Sequence, residues 1–188
     1  MTPEMRHELV DIIAEQSREV GDIVDDLLVV ARSDIGTLAL SRNKLDLRAE
    51  VDSVVSALRR SLESKSVSVT GSGCAWGDAL RVRQIIRNLV SNAARYGGPS
   101  IEISVDENDT ECRIRVHDDG TGVPEVSIER IFDAYTRAHN APTQPGSVGI
   151  GLAVSRQLAS LMSGRLDYRY EDRSVFRLVL PAAPDLSA

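Results

Sequence analysis

Apolar residues at the start of the chain recur at steps of three and four: Leu9, Ile12, Val20, Ile23, Leu27 and Val30, with Gln16 in the same series. That spacing draws a stripe along one face and predicts a helix from about Glu4 to Arg32. Thr2 can cap it, and Pro3 suits its first turn. Gly21 weakens the helix without ending it, and no turn signal appears before "SDIGTL". So narrow a helix cannot bury its stripe alone. The pattern suits a two-helix seam, with Gln16 as a polar interruption.

The pattern changes at "SDIGTLALSRNKLD", which marks a domain boundary. A second amphipathic helix is expected from about Leu47 to Ser64, followed by strand candidates "SVSVT" and "CAW". Asp78 is placed to cap a third helix, "ALRVRQIIRNLVSNAARY", which "GG" and Pro99 end. Strict alternation then gives two strands, "IEISVD" and "CRIRVHD", around the turn "ENDTE". From Gly120 to Val148 the chain is rich in Gly, Pro and polar residues around one short helical piece, "EVSIERIFDAY". That is long for a connection and points to a functional loop. A helix in "GIGLAVSRQLASLMSG" ends at Gly164, and strands "RLDYRYE" and "SVFRLVLP" close the chain. Helices interleaved with a mostly antiparallel sheet predict an α+β fold, a two-layer sandwich with three helices on a mixed sheet. The organisation expected is a long helix over 1–40, a domain over 44–182 and a tail over 183–188.

Composition narrows the function classes. Hydrophobic residues make up 42% of the 188, enough for a core, and aromatics only 4%, so the core must be aliphatic. The formal net charge of −6 argues against a nucleic-acid surface. No apolar run approaches the roughly 18 residues of a membrane span. "MTPEMRHE" is charged where a signal peptide would be apolar. Cys74 and Cys112 lack C-x-x-C spacing and read as reduced thiols of a cytoplasmic chain. His7, His117 and His139 are scattered and suggest no metal cluster.

Four clusters carry candidate chemistry. In "NLVSNAARY", Asn88 and Asn92 stand four apart on one helix face, which Arg95 and Tyr96 extend. Neutral amides can ligate a hard cation or bond phosphate oxygens; the plain alternative is a polar helix face. In "VHDDGTGVP", a strand runs into Asp118, Asp119, Gly120 and Gly122, where glycine permits positive φ and close backbone approach. Taken alone this is as well an acidic turn. In "IFDAYTRA", Phe132, Tyr135 and Arg137 sit inside the long loop, as a ligand clamp or as a satellite core. In "GSVGIGLAV", Gly146, Gly149 and Gly151 lead through Ile150 and Leu152 into a helix whose bare amides would attract phosphate. It is neither a dinucleotide fingerprint nor a Walker loop.

The order N-x-x-x-N, D-x-G-x-G, a loop with phenylalanine, then G-x-G-L resembles the nucleotide-binding boxes of the histidine-kinase ATPases, the superfamily shared with gyrase, Hsp90 and MutL. The resemblance covers roughly Leu45 to Pro181, and the first helix, ending "IVDDLLVVARSDIG", looks like the second helix of that family's dimerisation hairpin. It implies a Bergerat-type fold that binds ATP and Mg2+. Asn92 would ligate magnesium, with Asn88 helping to hold it and the phosphates. Arg95, where the family often has lysine, and Arg137 would contact the phosphate tail. Asp118 would accept from the adenine amine. Gly120 and Gly122 would let the backbone lie beside the ring, and Tyr96 would pack near it. Phe132 and Tyr135, the latter where phenylalanine is commoner, would belong to the lid. Gly146, Gly149, Ile150, Gly151 and Leu152 would form its end at the phosphates.

Hydrolases and serine kinases of this superfamily usually carry a glutamate at the first N-box position; Asn88 cannot take a proton, so slow hydrolysis by the chain alone is expected. His7-Glu8-Leu9 matches the start of the family's acceptor pattern, but Val10, Asp11 and Ile12 replace its arginine, threonine and proline. His7 also shares one unbroken helix with "DDLLVVAR", so the first hairpin helix, and the acceptor with it, is expected to be missing. The implied function is phosphoryl donation to a hairpin histidine in two-component signalling. The implied partners are a phosphoacceptor hairpin, a homodimer mate through the first helix, and a response-regulator receiver domain; no nucleic acid is expected. The setting expected is cytoplasmic, as part of a membrane-anchored sensor in full-length form. Two alternatives remain at this point: an ATP-binding regulatory module without phosphotransfer, and an anti-sigma-type serine/threonine kinase.

Overall fold

The computed structural model describes residues 2–34, 38–133 and 149–183. Helix α1 runs unbroken from Pro3 to Asp34, with Thr2 Oγ1 accepting from Met5 N at 3.3 Å. Strand β1 (Asn43–Asp46) leads into α2 (Leu47–Ala57), whose start is capped by the Asp46 carboxylate accepting from Ala49 N. Then come β2 (Ser66–Gly71), β3 (Cys74–Gly77), α3 (Ala79–Tyr96), β4 (Ser100–Glu107) and β5 (Glu111–Asp118). After two 3-10 turns, Glu125–Ser127 and Arg130–Phe132, follow α4 (Gly151–Leu161), β6 (Arg165–Glu171) and β7 (Arg173–Pro181).

The main sheet has the order β2-β4-β5-β7-β6, with β2 parallel to β4 and every other pair antiparallel; β1 and β3 form a separate antiparallel pair. The strand alternation foreseen in the sequence sets its two faces. Ile101, Ile103, Ile114, Val116, Leu178 and Leu180 are buried and join α2, α3 and α4 in one aliphatic core. The opposite face is mixed: Val175 and Val179 are buried there too, and charged residues on it pair across strands, Arg177 with Asp167, and Arg113 and Arg115 with Asp106. Burying each large aliphatic contributes roughly 1.5–3 kcal/mol relative to exposure, so the layer of helices on one sheet face is what this pattern stabilises.

Two expectations change, and one contact was not foreseen. The second helix stops at Ala57 rather than Ser64; turns follow, and Leu62 keeps the helical apolar spacing because it stays buried. The short helical piece of the loop is two 3-10 turns within the described residues. The stripe on α1 is not what meets the domain: Leu9, Ile12, Val20 and Leu27 are exposed, while Asp26 and Val29 are buried, with Gln84 Nε2 donating to Asp26 Oδ1 at 2.7 Å. Among the described residues, no helix is long and apolar enough to cross a membrane.

Candidate functional site

The site is built around α3. Asp78 caps its start, accepting from Arg81 N at 3.2 Å, and the buried residues Val82, Ile85, Ile86, Leu89 and Val90 fix which face looks inward. Asn88 and Asn92 lie one turn apart and half-buried on the flank of that face. Asn88 Nδ2 donates to Gly151 O at 3.1 Å and to Ser155 Oγ at 3.1 Å, so this amide ties α3 to the start of α4. A side chain at Gly151 would bring its Cβ to 3.3 Å from the same nitrogen, which is why α4 begins on a glycine. The Asn92 side chain has no hydrogen-bond partner among the described residues.

The other end of α3 meets the end of β5. The helix stops at Gly97, whose φ of −79° any residue could adopt. What excludes a side chain there is space: a Cβ would sit 2.4 Å from Ala93 O, 2.7 Å from Asp118 Cβ and 2.9 Å from its carboxyl carbon. Asp118 is buried at 5% exposure, and its Oδ1 accepts from Gly120 N at 3.0 Å. Asp119 turns outward and accepts from Ser100 N at 2.9 Å. Gly122 has φ +72°, in the left-handed region that glycine favours. It lies against the Tyr170 ring and the Tyr168 hydroxyl, which accepts from Val123 N at 2.9 Å.

Arg95 and Tyr96 close α3 and are exposed. Phe132 is buried in the main core, with the Arg156 guanidinium 4.9 Å from its ring centroid. Gly149 has φ +74°. Ile150 is buried, and Leu152 packs against the core. Among the described residues no side chain caps α4, and its first turn holds no acidic residue. Its leading amides therefore lack a partner from a capping side chain and carry the positive end of the helix dipole. Tyr135, Arg137 and Gly146 lie outside the described residues. His7 belongs to α1, near the end opposite to the one that docks through Asp26 and Val29.

Ser155 and Lys65 were not foreseen. Ser155 sits one helical turn after Gly151, fully buried, and that spacing was the available signal. Lys65 Nζ donates to Gly97 O at 3.1 Å and Gly98 O at 3.0 Å, from a stretch with no motif. The arrangement is a helix with amides on its flank, a buried carboxylate at its C-terminal end, and an uncapped helix start beside its middle. It can bind a ligand with an amine-bearing end and an anionic end.

Residues 77–184 match the family described as histidine kinase-, DNA gyrase B-, and HSP90-like ATPase. The chain is 29% identical over 177 residues to the signal transduction histidine-protein kinase AfsQ2 of Streptomyces coelicolor, covering 93% of this chain and 33% of that protein. It is 27% identical over 176 residues to the sensor protein SrrB of Staphylococcus aureus, covering 90% of this chain and 30% of SrrB. The chain thus spans about a third of the length of these curated relatives. Among solved structures it resembles the mycobacterial sensor histidine kinase MprB (TM-score 0.69, 22% identity, 76% of this chain and 99% of that one). It also resembles full-length ShkA in complex with AMPPNP (TM-score 0.72, 23% identity, 98% of this chain and 40% of that one).

Proposed function

The chain belongs to the histidine kinase-, DNA gyrase B- and HSP90-like ATPases, and from that premise we propose that it binds Mg-ATP and serves as the catalytic part of a sensor histidine kinase. The observation that carries this reading is the double closure of α3: Asn88 clasps the start of α4, and Gly97 admits Asp118 at the helix end. A nucleotide laid along α3 then finds a partner at each end. Asp118 accepts a hydrogen bond from the adenine amine, Gly122 lets backbone approach the ring, and Tyr96 packs near it. The uncapped amides at the start of α4 receive phosphate oxygens. Arg95 and Arg137 add positive charge along the tail.

The residues present fit a magnesium ion. Asn92 offers a neutral oxygen donor without a competing partner among the described residues, and Asn88 stands one turn away. No His/Cys/Asp/Glu group among the described residues would hold a metal unaided. That suits an ion that takes most of its ligands from phosphate and water. When bound, magnesium supplies neutralisation of charge on the phosphate tail.

Asn88 leaves the N-box without a proton acceptor, so the γ-phosphoryl passes to a histidine whose own neighbour supplies the base. We place that histidine on a hairpin that meets this domain and not at His7. A helix rises about 1.5 Å per residue, so the stretch from His7 to Arg32 spans nearly 40 Å, and the domain follows its far end. The exposed stripe of Leu9, Ile12, Val20 and Leu27 supports pairing of α1 in a homodimer, and the phosphoryl group then goes to a response-regulator receiver domain. The test is incubation with γ-labelled ATP, with and without a hairpin supplied in trans. Acid-labile label is expected on the hairpin only. Label on the chain alone that disappears in His7→Gln would overturn this placement, and no transfer to any hairpin would overturn the kinase reading.

A further inference from the structure

Three consecutive carbonyls leave α3 at its C-terminal end, and one short segment takes all of them. Lys65 Nζ donates to Gly97 O at 3.1 Å and Gly98 O at 3.0 Å, and Ser66 N donates to Pro99 O at 2.8 Å. Gly97 and Gly98 follow the last residue of α3, Tyr96, and an ammonium makes a strong charge-assisted hydrogen bond to such carbonyls. The pairing of β2 with β4 starts at Ser66 and Ser100, so the staple continues directly into the sheet.

The opposite side of this corner is the ligand side. Gly97 faces Asp118, and Gly98 faces the Asp119 carboxylate so closely that neither has room for a Cβ. Asp119 in turn accepts from Ser100 N at 2.9 Å. With backbone against carboxylate and no side chain between, a shift of a few tenths of an ångström in the corner is passed on to Asp118.

We propose that Lys65 is a positioning residue for the base-recognition end of the site: by holding the Gly97 and Gly98 carbonyls it sets where Asp118 stands relative to a bound adenine. This rests on the reading that the chain binds ATP with Asp118 at the adenine amine. Lys65 makes no hydrogen bond or ion pair with Asp118 and acts only through the corner. Its loss should therefore weaken recognition of the exocyclic amine and spare the phosphate end.

The experiment compares ATP with inosine triphosphate, which has a carbonyl in place of that amine, by calorimetry on the whole chain with magnesium. Wild type should bind ATP about tenfold or more tightly than inosine triphosphate. Lys65→Met keeps the stem and removes the ammonium; its ATP affinity should fall severalfold while its inosine triphosphate affinity stays the same, so the ratio collapses. Lys65→Arg, which can still donate to both carbonyls, should restore much of the ratio. General loosening of the fold would lower both affinities together. If Lys65→Met does not fold, Lys65→Gln is read by the same ratio. A wild-type ratio retained in the neutral variant, or a parallel fall for both nucleotides, would overturn the role of Lys65 alone. A wild type that binds neither nucleotide would overturn the ATP reading and this proposal with it.

Discussion

Gly120→Ala tests how the buried carboxylate is held. Gly120 does not need an unusual φ; it needs room. A Cβ there would lie 2.8 Å from Asp118 Oδ1, 2.8 Å from Gly97 Cα and 2.9 Å from Tyr96 O. Two of these three neighbours are backbone of the α3 corner, so no rotamer change relieves the contact. Ordinary van der Waals separation would require the turn and the corner to part by about half an ångström, or Asp118 to swing away. Overpacking of this kind costs about 1–3 kcal/mol. At roughly 2–4 °C per kcal/mol for a chain of this size, Tm should fall by roughly 2–12 °C. If Asp118 moves, its charged hydrogen bond to the ligand goes with it, about 1.5–3 kcal/mol, so ATP affinity should fall about tenfold or more. Calorimetry and a thermal melt read the two effects. Gly21→Ala is the control: its Cβ meets nothing within 4 Å, and alanine is favoured over glycine inside a helix by roughly 0.5–1 kcal/mol. It should steady α1 and leave nucleotide affinity alone. A Gly120→Ala protein with unchanged Tm and unchanged affinity would refute the argument that the turn and the α3 corner define the position of Asp118.

Acid should destabilise the fold in two stages. Burial and then Arg173 hold the His117 imidazole below its ordinary 6.5, so its contribution is full above that pH and is lost as pH falls. Hydrogen bonds from Arg165 and Arg113 hold Glu111 at about 2 instead of 4.5, so its contribution is lost as pH falls from about 4.5 toward 2. Thermal melts across pH check both; His117→Gln should flatten the first stage, and a wild-type Tm constant from pH 7 to pH 5 would contradict it. Burial, then the Glu107 carboxylate, pushes the Cys112 thiol up to about 12, so in the folded protein a thiol reagent should modify half-buried Cys74 and spare Cys112 until denaturant is added. Equal labelling rates, followed by mass spectrometry, would count against that. GTP presents a carbonyl where ATP presents an amine, so it should bind weaker by about 1–3 kcal/mol, and Asp118→Asn, which offers a donor, should narrow the gap; equal wild-type affinities would remove Asp118 from base recognition.

Helix α3 was legible because both of its ends carry local marks. Asp78 reaches its own N3 amide, the glycine pair stops the helix, and the apolar spacing between gives the buried face. Strands β4 and β5 were legible for the same kind of reason, since alternation records one buried face residue by residue; β7, buried on both faces over most of its length, showed instead as a short apolar run. Strand β1 was not. Only Leu45 of its four residues points inward, and its partner β3 lies some thirty residues further on, so neither period nor turn betrays it. The boxes gave Asn88, and the helix stop gave Gly97, but not the physical work of either. The sequence points to a ligand at Asn88, and the fold adds a second task, since its amide nitrogen bonds Gly151 and Ser155. A glycine after a helix suggests a left-handed cap, and Gly97 is needed because Ala93 O and Asp118 fill the space where its side chain would be.

The docking of α1 marks the limit most clearly. Hydrophobic periodicity reports which positions want to leave water, and on α1 it reports Leu9, Ile12, Val20 and Leu27. The contact with the domain uses Val29 and a pair of polar side chains, Asp26 and Gln84, at 7% and 5% exposure. A buried carboxylate is costly unless it is hydrogen-bonded, and the 2.7 Å bond from Gln84, itself engaged by Arg81 at 3.0 Å, offsets that cost. No pattern in either helix announces such a pair, because each residue alone reads as a solvated polar position. The partnership exists only once α3 has been folded against the sheet. An uncovered apolar stripe and a buried polar joint on the same helix are therefore two separate features: the first is available to another helix, and the second fixes how the rod leaves the nucleotide domain.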